Sequence, residues 1–190
     1  MKNTKKSFTL VELLCAAALI VILAGIGFSA FSYASYRGKE AATKSLITRI
    51  AAGLETLKTK HGFYPAAASY SNIEITVNST TGLITGITFG SAAPITDAKL
   101  KDFLAVADGE NLKKYVSSNG ILTDAWGGDI KYKYPGAVNT VKFDIIAPGA
   151  DGAFTNDPDH NPNNPPATAT STTYRDSNNE WNCDDIANFQ

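Results

Sequence analysis

The chain has 190 residues, of which 44% are hydrophobic, and a formal net charge of −1. This length allows one modest globular domain and one long helix. Its 17 basic residues are balanced by 18 acidic ones and form no basic patch, so we expect no nucleic-acid binding.

The first predicted element is an apolar segment that follows a short basic leader. The leader, residues 1–7, carries three lysines, and no charged residue occurs from Leu13 to Tyr36. About 20 apolar residues span the hydrocarbon of a bilayer, so residues 8–34 are predicted to cross a membrane. The lysines of the leader predict a cytoplasmic amino terminus by the positive-inside rule.

One uninterrupted helix is predicted to follow the leader, because no proline occurs from residue 8 to residue 63. We expect it to end near His61. Its second half, residues 35–62, is amphipathic, which predicts that this half packs on a soluble domain. The apolar positions recur at helical spacing: Leu46, Ile50, Leu54 and Leu57.

The remaining residues, 63–190, are predicted to form a small antiparallel sheet with short helices, so the fold class is α+β. Alternating apolar residues indicate the strands, and turn-forming residues separate the elements. The predicted strands are 73–77, 83–89, 130–134 and 141–146, and the predicted helices are 97–106 and 110–117. From Pro148 onward, Gly, Pro, Asn, Asp and Thr dominate, which predicts one long acidic loop over residues 147–190.

The acidic loop has a composition that favours a cation. Residues 144–190 contain eight acidic residues, and Arg175 is their only lysine or arginine. Such a segment repels itself unless it is solvated or bound to a cation, and carboxylate and carbonyl oxygens suit calcium. Two interpretations, a solvated loop and a cation-binding loop, stay open at this point. An EF-hand is excluded, because Pro162 occupies the position that requires glycine.

Residues 6–14, Lys-Ser-Phe-Thr-Leu-Val-Glu-Leu-Leu, resemble the prepilin peptidase site of type IV pilins and type II secretion pseudopilins. The resemblance implies cleavage between Ser7 and Phe8, methylation of the new amino terminus on Phe8, and a role for Glu12 in aligning subunits. Ser7 stands where the family usually has glycine. A carboxylate at membrane depth is costly, and the ammonium of a neighbouring Phe8 would neutralise it. The alternative is that Glu12 reaches the cytoplasmic headgroups.

Three further motifs look like those of the major pseudopilin of type II secretion. They are Asp-Ala-Trp-Gly-Gly at 124–128, Phe-Asp-Ile-Ile-Ala-Pro-Gly-Ala-Asp-Gly at 143–152, and Asp-Ile-Ala-Asn-Phe at 185–189. The resemblance implies a calcium ion that staples the carboxyl-terminal loop. It implies Asp151 and Asp185 as the main side-chain ligands, with Asp184 as a weaker candidate.

The same resemblance implies that carbonyl groups near Ile146 and Pro148 complete the calcium shell. Ala147 replaces the usual serine, and the loop between the two main ligands is longer than in the family. The coordination geometry can therefore differ from that of the family, with Asp157 or Asp159 as a further ligand.

The resemblance implies a structural protein and not an enzyme. Such a subunit forms a homopolymeric fibre and meets prepilin peptidase, minor pseudopilins and an inner-membrane assembly platform, with its globular part in the periplasm. One alternative is a major or minor type IV pilin for adhesion, motility or DNA uptake. Pilins usually close their last loop with a disulfide, whereas Cys15 and Cys183 are expected to stay unpaired. A membrane-anchored enzyme or binding module lacks any nucleophile–base or phosphate-loop motif.

Overall fold

A computed structural model describes residues 10–150, 152 and 186–188, and it describes the side chains of these residues except 24–30. The chain divides into two compact units, Met1–Gly38 and Lys39–Gln190. The elements, in chain order, are α1 (Leu10–His61), β1 (Ala67–Val77), β2 (Ile84–Phe89), α2 (Asp97–Ala107), α3 (Gly109–Lys113), β3 (Lys131–Tyr134), β4 (Asp144–Ala147) and β5 (Ile186–Ala187).

Helix α1 runs for 52 residues without interruption and ends at His61, as predicted. Gly62 follows with a φ of +80°, a left-handed conformation that glycine adopts at little cost and that commonly terminates helices. The amide of Gly62 donates to the Lys58 carbonyl at 3.0 Å. Basic residues occupy the last turn, where they suit the negative end of the helix dipole.

In the first unit, the large apolar side chains of α1 that the structure describes are exposed. Leu13 is 68% exposed, Val21 71% and Phe31 73%. Among the helical residues that the structure describes, no segment is long and apolar enough to cross a membrane. Within the predicted span, 8–34, the structure describes the side chains of residues 10–23 and 31–34.

In the second unit, α1 buries the apolar stripe that the sequence predicts. The buried side chains are Leu46, Ile47, Ile50, Leu54 and Leu57, each at most 2% exposed. They join one hydrophobic core with the inner faces of the strands and with α2 and α3. The α+β prediction of a long helix packed on a small antiparallel sheet is confirmed.

The five strands form one antiparallel sheet in the order β2-β1-β3-β4-β5. The predicted hairpin of β1 and β2 is confirmed, with Ile75 opposite Ile87. Strand β1 begins at Ala67, six residues before the predicted start, because its first part pairs with β3 and places Ala67 opposite Tyr134. That pairing is long-range, so no local pattern announces it.

Three further differences from the prediction exceed two residues or concern a whole element. Strand β4 begins at Asp144 and not at residue 141, because Val141 lies in the connecting turn and is 84% exposed. Helix α3 ends at Lys113 and not at residue 117. The prediction that residues 147–190 are entirely loop is wrong at Ile186–Ala187, which form β5 by pairing with β4.

An aromatic cluster fills the core between the sheet and the helices. The Phe89 ring lies edge-on to Tyr132 and to Phe103, with centroids 4.8 Å and 6.1 Å away. Tyr64, just beyond α1, lies edge-on to Phe143 at 5.2 Å. Such edge-to-face pairs stabilise a core beyond the area that they bury. The rings join α2 to β2 and β3, and they join the chain just after α1 to the residue that precedes β4.

A polar network fixes the end of α1 to the β3–β4 connection. The Tyr64 hydroxyl donates to Glu55 at 2.8 Å, and the Lys142 ammonium donates to the same carboxylate at 2.9 Å. The hydrogen bond from Lys142 is the main reason that the pKa of Glu55 is lowered. Burial, followed by the hydrogen bond to Glu55, raises the pKa of Tyr64 to about 12.

The Tyr64 network should lose stability at alkaline pH. Because the folded-state pKa of Tyr64 is raised above its ordinary value of 10, its contribution is present below pH 10 and is lost as pH rises towards about 12. We expect the urea midpoint to fall over this interval, and to fall less in Tyr64→Phe. An equal fall in the wild type and the variant would contradict this assignment. Tyr132, whose pKa burial also raises, remains in both proteins.

Candidate functional site

The carboxylate of Asp124 organises a loop at the base of the carboxyl-terminal segment. Asp124 is 2% exposed. Its Oδ1 accepts the amides of Trp126 and Gly128, each at 2.8 Å, and its Oδ2 accepts the amide of Gly149 at 3.1 Å. Three N–H donors replace the water that a buried carboxylate loses. One side chain therefore holds two segments that are 25 residues apart.

The same loop is attached to α1. Thr43, which is fully buried in the helix, accepts the Ala125 amide on its hydroxyl oxygen at 3.1 Å. Trp126 is partly buried and packs against the hydrophobic core, as expected of an anchor for the loop. Hydrogen bonds therefore join three parts of the chain: α1, the loop at 124–128 (the Trp126 loop) and the backbone at Gly149.

Strand β5 closes the far end of the carboxyl-terminal segment on β4. Ile186 pairs with Ala147, and Ala187 pairs with Ile146. The Asn188 amide donates to the Ile145 carbonyl at 3.1 Å. Its side chain also accepts the Ile145 amide at 2.7 Å and donates to the Phe143 carbonyl at 3.1 Å. Asn188 thus acts like a further strand residue, which makes a two-residue strand stable.

Asp144 is a second buried carboxylate with a purely structural environment. It is fully buried and accepts the amides of Val138 and Asn139 at 2.8 Å and 3.0 Å, and the Tyr70 hydroxyl at 3.0 Å. These donors hold the connection between β3 and β4, which contains a cis peptide bond between Tyr134 and Pro135. Two of its three donors belong to this connection, and the third, Tyr70, lies in β1.

The predicted calcium residues fall on both sides of the described region. Asp151, Asp184 and Asp185 lie outside the described residues, as do Asp157 and Asp159. Ile146 and Pro148 are described, at the end of β4 and one residue after it. Within the described part of the chain, no three His, Cys, Asp or Glu side chains come together to hold a metal.

The β4–β5 pairing brings the two ends of the acidic segment to one edge of the sheet. Ala147 pairs with Ile186, so the backbone at 146–148 lies beside Ile186. In the sequence, Asp185 directly precedes Ile186. The buried carboxylates of Asp124 and Asp144 are already occupied by N–H and O–H donors. Any carboxylate ligands would therefore come from the acidic segment between β4 and β5.

The amino-terminal site is described only in part. Ser7 and Phe8 lie outside the described residues. Glu12 lies in the first turn of α1 on an exposed face, where a carboxylate suits the positive end of the helix dipole.

Sequence reasoning assigned no role to Asp124, Asn188 or Thr43. The first two belong to recognised motifs, and an aspartate at the start of a glycine-containing turn is a signal for a side chain that caps that turn. Thr43 offers no such signal, because a threonine in an amphipathic helix is common and only its partner at Ala125 reveals its use.

Comparison with protein families matches residues 2–28 to the prokaryotic N-terminal methylation motif. Residues 91–161 match protein G of the type II secretion system. The chain is therefore similar to type IV pilins and to the type II secretion pseudopilins. Neither the curated proteins nor the solved structures compared with it include a significant match.

The two matches agree with the architecture of this pilin-like protein. The first covers the amino-terminal part of α1, and the second begins before α2 and ends beyond β4. Proteins of these families are structural subunits and not enzymes, and the expectation of a structural subunit is confirmed on that ground.

Proposed function

We propose that this pilin-like chain is a structural subunit of a type II secretion pseudopilus. Prepilin peptidase would cut it between Ser7 and Phe8, and Phe8 would be methylated. The mature subunit would wait in the inner membrane through residues 8–34, with its amino terminus cytoplasmic and its globular unit in the periplasm. It would then polymerise with copies of itself and with minor pseudopilins on an inner-membrane assembly platform.

The observation that carries this proposal is the contrast between the two parts of α1. After Gly38 the helix buries an apolar stripe in its own globular unit, whereas before Gly38 the large apolar side chains that the structure describes are exposed. An apolar surface of this extent requires lipid or other protein. The membrane would supply the lipid before assembly, and neighbouring helices would supply the protein contacts after assembly.

Glu12 gives the exposed helix a means of register. In a fibre core of low dielectric, a lone carboxylate is unfavourable unless a cation neutralises it. The ammonium created on Phe8 of a neighbouring subunit is a suitable partner, because it would lie at a similar depth. A subunit displaced along the fibre would leave both charges unpaired, so this pair would favour one stagger.

The function is tested by deleting the gene and restoring it on a plasmid. A pseudopilin predicts that proteins normally released by the cell remain in the periplasm of the deletion strain, and that the plasmid restores their release. Loss of surface fibres with normal protein release would instead indicate a type IV pilin. A deletion strain that shows neither of these defects would contradict both assignments.

We also propose that calcium binds between β4 and β5, through Asp151 and Asp185, with Asp184 as a further candidate. Carbonyl groups near Ile146 and Pro148 would complete the shell. The bound cation would offset the repulsion among the carboxylates of a segment that has one compensating arginine. The β4–β5 pairing supports the proposal, because it brings the two ends of that segment to one edge of the sheet.

Removal of calcium should lower the stability of the full chain in mild detergent. A ligand at 100 times its dissociation constant adds about 2.7 kcal/mol to the free energy of unfolding. We expect a calcium-dependent rise in melting temperature that chelator reverses and that Asp151→Ala abolishes. Asp176→Ala is the matched control, since it removes one charge from the same segment. An equal loss in both variants would indicate diffuse charge screening and not a site.

A further inference from the structure

The turn between β1 and β2 carries the tripeptide Asn-Ser-Thr at residues 78–80. An asparagine followed by any residue except proline, and then by serine or threonine, is the acceptor motif for N-linked glycans in secreted proteins. The motif occurs once in this chain. Because a glycan is bulky and polar, the place of the motif in the fold decides whether it can be used.

The tip of the β1–β2 hairpin is open to solvent. Residues 76–83 are all exposed, and none of them is charged. A Cβ added to Gly82 would meet no atom within 4 Å. The Lys113 ammonium of α3 donates to the Gly82 carbonyl at 3.0 Å and so holds the tip at one side. The tip therefore has room for a bulky group.

The turn uses one end of the Asn78 amide and leaves the other end accessible. Oδ1 of Asn78 accepts the amides of Thr80 and Thr81 at 2.9 Å and 3.0 Å, which makes an Asx-turn. Backbone bonds to Gly82 and Leu83 close the loop. Among the described residues, none accepts a hydrogen bond from Nδ2. A group attached to Nδ2 would therefore leave every hydrogen bond of the turn in place.

Apolar side chains flank this turn at the edge of the sheet. Val77 is 38% exposed and Leu83 is 59% exposed. Strand β2 lies at one end of the strand order. Exposed apolar residues beside an edge strand favour unwanted association with other chains, and proteins oppose it by covering such edges. A glycan on Asn78 would give this edge a polar cover.

We propose that Asn78 is the acceptor of an N-linked glycan that a lipid-linked oligosaccharide donates. In the transfer, Nδ2 of Asn78 forms a bond with the first carbon of the leading sugar, and the bond from that carbon to the pyrophosphate of the lipid carrier breaks. The nitrogen loses one proton and the lipid pyrophosphate leaves, so the step needs no oxidant or reductant. The inference rests on the proposed function, since the motif is an acceptor only in a translocated globular unit.

Mass spectrometry of the full chain, purified in mild detergent from the cells that naturally produce it, tests the assignment. Trypsin should release residues 61–99 as one peptide, because no lysine or arginine lies between Lys60 and Lys99. We expect this peptide to be heavier by at least one sugar, and its fragments to place the added mass on Asn78. A wild-type peptide of unmodified mass would overturn the inference.

Asn78→Asp isolates the acceptor nitrogen. The aspartate oxygens can still accept both amides of the turn, whereas Nδ2 is gone. Thr80→Ala removes the hydroxyl of the motif and keeps both backbone donors. Both variants should melt as the wild type does, because the changes are at exposed positions. Both should lose the added mass completely.

Thr81→Ala is the matched control, since it removes a neighbouring hydroxyl that lies outside the motif. This variant should keep the added mass. Added mass that persists in Asn78→Asp would place the sugar on a serine or threonine hydroxyl and would overturn the inference. Loss of the mass in Thr81→Ala would overturn it as well, because the turn and not the motif would then be decisive.

Protease added to spheroplasts reports the compartment of the globular unit separately. A globular unit that is cleaved, but whose Asn78 is unmodified, would overturn the inference and leave the proposed function standing. A globular unit that is protected from the protease would overturn both.

Discussion

Replacing Glu12 with alanine should abolish fibre assembly and leave the subunit in the membrane. Glu12 is the only acidic residue in the first unit, and it lies in the first turn of α1. Removing one partner of a buried ion pair costs about 3–5 kcal/mol, because the other charge is left without compensation. A loss of this size at every subunit contact should lower the yield of fibres at least a hundredfold.

The measurement is the amount of cross-linked or sheared fibre relative to membrane-bound subunit. Glu40→Ala is the control, since Glu40 lies on the same helix and pairs with Lys44 at an exposed site. That variant should assemble normally. Normal fibres from Glu12→Ala would show that the carboxylate only reaches the headgroups. Loss of the subunit from the membrane would show a role in insertion instead.

Replacing Phe89 with alanine should cause the largest loss of stability among single changes in the globular unit. The Phe89 side chain is fully buried at the end of β2, between the rings of Tyr132 and Phe103. A phenylalanine truncated in such a core costs about 3–5 kcal/mol, from lost transfer energy and the cavity left behind. The melting temperature should fall by roughly 6–20 °C.

Val141→Ala is the control for the Phe89 prediction, because Val141 is 84% exposed in the β3–β4 connection. Its effect should remain within about 0.5 kcal/mol. The two variants are compared by urea denaturation of the full chain. A loss below about 1 kcal/mol in Phe89→Ala would mean that the core collapses around the cavity, or that this cluster contributes little to the unit.

Local patterns predicted the parts of the fold that depend on neighbouring residues. The stripe from Leu46 to Leu57 recurs at helical spacing and is buried as predicted. The turn residues after Val77 predicted the β1–β2 hairpin, which the structure confirms. The amino-terminal methylation motif was recognised because it is continuous in sequence, and a family match supports it.

Long-range contacts decided what the local patterns missed. Strand β5 has two residues and lies about 40 residues beyond β4 in sequence, so it has no periodicity of its own. It exists because Ile146 and Ala147 pair with it across that distance, and because Asn188 beside it bonds to Ile145. The early start of β1 likewise depends on β3, which no window around Ala67 contains.

The amino-acid sequence by itself determined the long helix, the lone carboxylate Glu12, the hairpin and the acidic carboxyl-terminal composition, because each is a property of adjacent residues. Only the tertiary structure decided which buried carboxylates are structural. Asp124 and Asp144 look alike in sequence, yet one holds Gly149 and the other holds the β3–β4 connection. The difference arises from which amides the fold brings within hydrogen-bonding distance, and that follows from strand order and not from composition.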